Sequence, residues 1–589
     1  GSEMCIRDSS VAVASLNNTL NAGIKGTGKN GLAYTDVGNV EVHALSALTA
    51  VTAAVSAGAT KTSKSDGTSV NIQGAGVYNS VNNTANAYID GANIATTAAG
   101  SVRVRAMDTN KQDAAVYQEM LTRGASDKAA ELARTSSIID TKGNSYYDGL
   151  DTAMTDDGSG DGTLDLDTIG KNGSTIVTAA AGVAVTNGDA AVGASVAISD
   201  IDNKFTAKIT DSEITAADVE AQANSDTLLV GVAGGVGVGN KIGGVGSASW
   251  QDIDNTAAAT ISGSTIKAQS VSGRAVNTAK MINVAGQIAG GKSALGAGLG
   301  YSGLSNVTGA YLHDNLIDKR SIDTDGVIVN ANAANGNKMY TIGASVAAAT
   351  ENAAITGTVV LTRADGKTDA LISDSEITNA KAVGAAAADT TYTYTVMGNV
   401  AAGAKAGVGA GVAYTDIGGS SGDAAKAGQV TNAGIKGTQI ESAAAGAAVS
   451  VSAVDSSKIL NVAVGVGGAG KVAVQGAAST ALVNKQTQAV LEATDIDKDD
   501  DNAARADVTV KAQSDSKIFN TAVVAAGAGT AAVGAGVAVN RIVQQTGAEV
   551  QGGTMNLQEL DIRAVAAPKI ETIGVGGAVG GNVGVSGSV

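Results

Sequence analysis

The chain has 589 residues, of which 78 are Gly, one is Pro and one is Cys; the hydrophobic fraction is 44% but aromatics make up only 3%. A globular core of this size would use far more Phe, Leu and Trp, and a disordered chain would not combine a mean hydropathy of +0.12 with so many β-branched residues. Lys+Arg 39 against Asp+Glu 55 give a formal charge of -16 with no basic stripe for phosphates, which argues against nucleic acid as a partner.

Residues 1–9, GSEMCIRDS, match nothing else in the chain. They resemble translated adaptor read-through and are read as a non-native prefix, set aside from fold reasoning. A true leader is the alternative, but Arg7 and Asp8 interrupt what would be its apolar stretch. With Cys5 set aside no cysteine remains, so stability has to come from repetition and not from disulfides.

Repeats begin in residues 10–106, where NAGIKGT at 21–27 returns at 432–438 and GLAYTDVG at 31–38 returns as GVAYTDIG at 411–418. The pattern stops over 107–172. There AAVYQEMLTRGASDKAAELART (114–135) predicts two short helices around Gly124, with Val116, Met120, Leu121 and Leu132 at helical spacing. TDDGSGDGTLDLDT follows at 155–168. Asp157, Ser159, Asp161, Thr163 and Asp165 fall on alternating positions, with Gly162 at the sharp turn, as a calcium loop requires. Thr168 stands where the bidentate acid belongs. Calcium is therefore the one candidate cofactor, and a solvated acidic loop is the other reading. A second acidic cluster, Asp495, Asp497, Asp499, Asp500 and Asp501, lacks the glycine.

From 173 to 589 the repeats resume. Residues 202–253 and 254–304 align Asn203 with Asn255, Ile209 with Ile261, Ser212 with Ser264, and Val232 with Val284; the next copy opens at Asn306, so starts fall 52 and then 51 residues apart. Roughly eight or nine copies can be scored along the chain. Each has a first half of the form N-x-x-x-A-x-I followed by V-x-V-x-A, and a second half of alternating glycine, alanine and valine, as in ILNVAVGVGGAG at 459–470. Both halves alternate with period two, and glycine at this density disfavours helix by about 1 kcal/mol per position.

The expected fold is therefore all-β: a right-handed parallel β-helix, or β-solenoid, built from ~52-residue repeats, with one helix and loop insertion. Each unit is expected to supply two coils of about 26 residues, with Asp202-Asn203 and Asp254-Asn255 at corners. About 20 coils at ~4.8 Å would make a rod on the order of 100 Å. An antiparallel hairpin about Gly239-Asn240-Lys241 is the alternative arrangement. An aromatic recurs after the glycine strand at Tyr34, Tyr78, Trp250, Tyr301 and Tyr414, either packing at a coil corner or forming a track for a ligand such as carbohydrate. Thr521 to Asn540 is uncharged over a membrane-spanning length, yet it alternates in phase with the other repeat cores, so no transmembrane helix is expected. A membrane barrel would need more aromatics than two Phe, one Trp and twelve Tyr.

No catalytic constellation is legible. His43 and His313 have no metal-spaced partners and read as exposed strand residues, and GGVGVG at 234–239 has no following helix to make a dinucleotide site. The chain is not expected to be an enzyme.

The units Val102-Arg-Val104-Arg-Ala106, Ile282-Asn-Val284-Ala285-Gly286 and GVGAGVAY at 407–414 resemble the repeat region of large filamentous adhesins of Gram-negative bacteria, the leukotoxin-like and filamentous-haemagglutinin-like group. The resemblance covers everything but the prefix and 107–172. It implies an extracellular stalk at the bacterial outer surface, exported by a type V route through an outer-membrane secretion partner. The partner engaged would be a host or bacterial surface receptor or glycan. The repeat pattern is still running at Ser588-Val589, so the chain reads as an internal piece of a longer protein. The competing expectation is a β-helix protein that binds or degrades polysaccharide.

Overall fold

A computed structural model describes residues 4–26, 32–60, 69–108, 173–498 and 505–589. The chain is all-β over these residues, apart from one 3-10 turn at Ala424–Lys426. It forms two stacked sheets, one of 11 strands and one of 18, in which every pairing is parallel.

One circuit shows how the sequence builds this. Ile242–Ser262 lies in the first sheet. The chain turns at Gly263, whose φ of 60 places it in the left-handed region. It then makes a short wall, Thr265–Lys267, and returns along the second sheet as Ser270–Gly291. The next circuit opens with Ser293–His313. Ile242 pairs with Ala190, 52 residues back, and with Ser293, 51 residues on. Later circuits are longer: Ala294 pairs with Ala354 and Val472 with Ala531.

Each unit therefore makes one broad circuit, not two coils of about 26 residues. The reason lies in Asn203 and Asn255. Both sit inside continuous strands, fully buried, where the Asn203 side-chain amide donates to Asn255 Oδ1 at 3.0 Å. With its amide N–H groups bonded to Asn255 and to Thr227 across the core, Asn203 has partners without sitting at a corner, and the period-two alternation runs on through it. The corners fall further along, at Asp211, Gly263, Asp314, Asp374 and Gly437, all with positive φ. After each comes a buried Ser, Thr or Asn that ties one rung to the next: Ser212 N–H donates to Ser264 Oγ at 3.2 Å, and Ser264 N–H to Asn315 Oδ1 at 3.1 Å. Strands of 21 residues span about 70 Å, and the ten strands along the main path of the first sheet stack to roughly 45 Å. The object is a slab wider than it is tall, not a thin 100 Å rod.

The hairpin alternative is excluded. Gly239, Asn240 and Lys241 carry the chain between sheets: Asp218–Val238 pairs with Ser270–Gly291, whereas Ile242–Ser262 pairs with Ser293–His313. The sheets approach so closely at this tip that a Cβ on Gly237 would collide with the Gly244 carbonyl. The run 521–540 is likewise two strand segments joined at a tip, within Ala506–Ala528 and Ala531–Gln551. No helix among the described residues is long and apolar enough to cross a membrane.

The first strand runs Met4–Lys25 and pairs with Ser69–Asp90 along its whole length. Met107 and Asp108 close the strand Ser101–Asp108, and Asp108 accepts from the Ser174 N–H and hydroxyl, each at 3.0 Å. The predicted helices at 114–135 lie outside the described residues.

Inward side chains form alternating layers across the slab. At the wide end the two sheets and the short wall enclose Phe205, Ile209, Ile214, Val219, Ile261 and Ile266, all buried. A polar row follows, in which Asn203 and Asn255 meet Thr227 and Asn306 meets Asn337 across the core, while Thr308 bonds to Asn277 and Asn335 beside them. Next is a second apolar row of Ile201, Ile253, Leu304 and Met281, and then another polar row in which Asn283 reaches Ser302 at 3.1 Å. Toward the tip the space between the sheets is filled mostly by small residues such as Ala289, Ala294 and Ala347, with Val245 and the buried Gln287 among them.

Candidate functional site

The calcium-loop residues Asp157, Ser159, Asp161, Thr163 and Asp165 lie outside the described residues. Of the second acidic cluster, Asp495 and Asp497 are described, and both serve structure. Asp497 is buried and accepts from the Ser442 N–H at 2.7 Å and its hydroxyl at 2.8 Å. Asp495 accepts from the Thr554 N–H at 2.7 Å and from Lys498 at 3.1 Å, and these bonds hold its carboxyl below the usual range. Among the described residues no three His, Cys, Asp or Glu side chains are arranged to hold a metal.

The histidines differ from one another. His313 is an exposed strand residue 3.2 Å from Asp314. His43 is not exposed: it lies 3.2 Å from Glu41 in a row with Arg103, Arg105 and Glu220, and burial lowers its pKa. The GGVGVG segment crosses the close approach of the two sheets at the tip.

The recurring aromatics come together on the outer face of the first sheet. Pairing puts Tyr78, Ile198, Trp250, Tyr301, Leu361 and Tyr414 in a single column. They stand in mid-strand and point outward, with Tyr78 and Trp250 40% and 44% exposed, so they do not pack at a corner. Tyr34 does not join them; it lies on the short strand Leu32–Val37, packed against the wide-end core. Trp250 and Tyr301 stack with centroids 3.9 Å apart and planes at 23°. In-register parallel strands force this, because equivalent side chains sit one rung apart. Stacked rings cover each other's faces and offer their edges to solvent. A second stack, Tyr340 on Tyr394 at 4.8 Å, lies on the outer face of the other sheet.

Beside the first column runs a row of charge. Two residues on from the aromatics come Asp200, Asp252, Gly303, Arg363 and Asp416; two further on stand Asp202, Asp254, Ser305 and Asp365. Burial, and then the charges of Asp254 and Asp200, push Asp252 up to about 6. Burial also raises Asp254 and Asp416. Arg363 offsets part of this, pairing with Asp365 at 2.8 Å. Tyr414 donates to Asp416 at 3.1 Å, and a Cβ at Gly303 would come within 2.9 Å of the Tyr301 hydroxyl. The strip therefore offers ring edges, carboxylate acceptors and one guanidinium on a flat, rigid face. It can accept hydrogen bonds from hydroxyl-rich or cationic groups, and part of its charge titrates near pH 6.

Comparison with family models, with curated proteins and with solved structures found no match to the chain.

Proposed function

We propose that this chain is a stalk segment of a filamentous surface adhesin, displayed outside a bacterial cell after type V export, in which the slab builds distance and its outer strip makes contact. The finer fold in this reading is a right-handed β-helix of ~52 residues per repeat. The observation that carries the reading is the coincidence of two offsets: the sequence repeat that aligns Asn203 with Asn255 and Ile209 with Ile261 is also the strand pairing of those residues. An array whose repeat equals its rung can be lengthened without altering any interface, which suits a spacer. The scarcity of Pro and Cys suits passage of an unfolded chain through an outer-membrane pore, with folding outside proceeding rung by rung.

Binding of the purified chain to epithelial cells, bacterial cells and immobilised glycans tests this, with Trp250→Ala/Tyr301→Ala as the comparison. Retention on a cell or glycan surface that the double substitution weakens supports adhesion through the strip. No retention on any of them refutes it. The carboxylates beside the rings also favour a second reading, a polysaccharide-binding or polysaccharide-degrading β-helix. Release of reducing ends from a panel of acidic and neutral polysaccharides would select degradation over adhesion.

A further inference from the structure

The half of the slab nearest the tip is apolar on both outer faces. On the first sheet, Val192, Leu295, Ile355, Val408, Val474 and Val533 form one outward row, each 36–53% exposed and interrupted only by Gly244 between the first two. Beside it runs a row of small residues, including Gly246, Ala297, Gly357 and Ala410, and beyond that a second large row with Val196, Val359, Val412 and Val537. The aromatic column closes the face. The second sheet repeats the relief over its middle rungs: Val284, Ile342 and Val396 form a ridge, Gly286, Ala344 and Gly398 a furrow, and Ile288, Val346 and Val400 another ridge; from Ala448–Ala469 onward Val464 and Val523 fill the furrow. From the strand Ser69–Asp90 onward, none of these three first-sheet rows holds a charged residue.

Nine residues of strand by eight rung spacings make each face on the order of 1,100 Å². A monomer's largest apolar patch is about 300–600 Å², and a standard interface takes roughly 800 Å² from each partner. We infer that both faces are covered by neighbouring copies of this chain, the valine ridges of one copy seated in the glycine–alanine furrows of the next. Ridges two residues from a furrow match the spacing of another sheet, and sheets packed this way sit about 10 Å apart. Charge lies only at the margins. The tip carries Lys241 paired with Asp189 at 2.5 Å and Lys292 paired with Glu351 at 2.9 Å, and the far border carries the aspartate rows. Face-to-face stacking leaves both margins in water. A bilayer would instead have to admit the tip lysines first, at about 2.5–3.5 kcal/mol each, and fluid chains gain nothing from ridge and furrow. Because two faces are available, growth does not stop at a dimer.

Sedimentation velocity of the full chain over a hundredfold concentration range tests this. The expected result is mass rising beyond a dimer with concentration and persisting in high salt. Val359→Lys/Val412→Glu places a neutral charge pair on adjacent rungs of the first sheet, and Val346→Lys/Val400→Glu does so on the second. Either pair alone limits the chain to dimers if like faces meet, or to monomers if unlike faces meet; all four substitutions give monomers with an unchanged far-UV spectrum. As a readout that introduces no charge, a spin label at Val359→Cys in a Cys5→Ser background should show dipolar broadening that dilution with unlabelled chain removes. A monomer at every concentration overturns the inference, as does association indifferent to all four charges. Monomers that float with phosphatidylcholine–phosphatidylglycerol vesicles through the same residues overturn it in favour of lipid.

Discussion

Removing the one fully buried ammonium among the described residues tests how the polar interior holds together. Lys485 and Asp455 are both 0% exposed and meet at 2.7 Å; Lys485 also donates to the Asp515 carbonyl at 2.6 Å. Asp455 accepts from Thr431 at 3.1 Å and Ser457 at 3.2 Å, and Asp389 lies one rung away on the same sheet. Burial first, and then the charge of Asp455, push Asp389 up to about 7. Lys485→Met keeps the volume but leaves a carboxylate without its cation, and breaking a buried pair from one side costs about 3–5 kcal/mol. Because Asp389 is raised, its charge adds to that of Asp455 only as pH rises, so the loss should be larger at pH 8 than at pH 5. Asp455→Asn/Lys485→Met removes both charges and should recover most of the loss, since a buried pair replaced by neutral groups is often neutral in stability. Array proteins open locally, so the assay is native-state hydrogen exchange on Ala448–Ala469, Val472–Glu492 and Ala506–Ala528, at both pH values. Unchanged protection in Lys485→Met would refute the reasoning, as would a double variant no more stable than the single.

The remaining expectations concern the core, a corner and the titrating groups. Phe205 is the largest fully buried side chain, flanked in its column by Ala85 and Ala257, so Phe205→Ala should cost roughly 3–5 kcal/mol of local stability by the same exchange measurement; a loss below about 1 kcal/mol would mean the wall collapses onto the space. At the left-handed corner Gly263, Gly263→Val should cost about 1–2 kcal/mol and Gly263→Asn distinctly less, read as thermal midpoints; equal midpoints would remove the backbone argument. The raised Asp252 carboxyl is favoured in its neutral form by the fold, so its contribution to stability is fullest below the ordinary value near 4 and is lost as pH rises through about 6. Carbon-13 carboxyl shifts should show that midpoint, and Asp254→Asn should lower it; an Asp252 midpoint near 4 would contradict the burial. Asp389→Asn should flatten the fall in stability between about pH 4 and pH 7, because Asp389 is likewise raised.

Strand content and the parallel stack were legible because the same phase recurs at every rung: Ile209, Ile261 and Leu312 share an inward column. What alternation could not reveal is which inward positions are polar. Lys485 belongs to the column that runs through Asn18, Asn83, Asn203, Asn255 and Asn306, yet in VNKQTQAV it reads as surface. The same bias moved Asp202-Asn203 to a corner, although Asp211 of TDSEIT holds the left-handed residue. The aromatic column was visible because its spacing equals one circuit. The acid strip beside it was not, since outward aspartates in mid-strand run against β propensity and suggest turns. Tyr340 and Tyr394 escaped because their column neighbours are Ile282 and Leu460, which carry no ring.

The polar rows also settle a problem that the glycine-rich half creates. A run such as GVGVG fits its neighbour nearly as well after a slip of two residues, because the same face stays inward and small residues replace small residues. Such a stretch cannot choose its own register. In the other half of each strand the same slip would set the Asn255 row against Ile253 or Ala257 and leave buried amides without partners. Each group orphaned by the slip costs about 1–3 kcal/mol. The Asn203–Asn255 bond, the Ser212–Ser264 tie behind each corner, and the Lys485–Asp455 pair that replaces the amides further down all penalise the slipped state more than they stabilise the native one. Since each strand is continuous from tip to corner, register chosen at the polar rows is imposed on the valine and glycine rows. The ridges and furrows of the outer faces are aligned by side chains that never reach the surface.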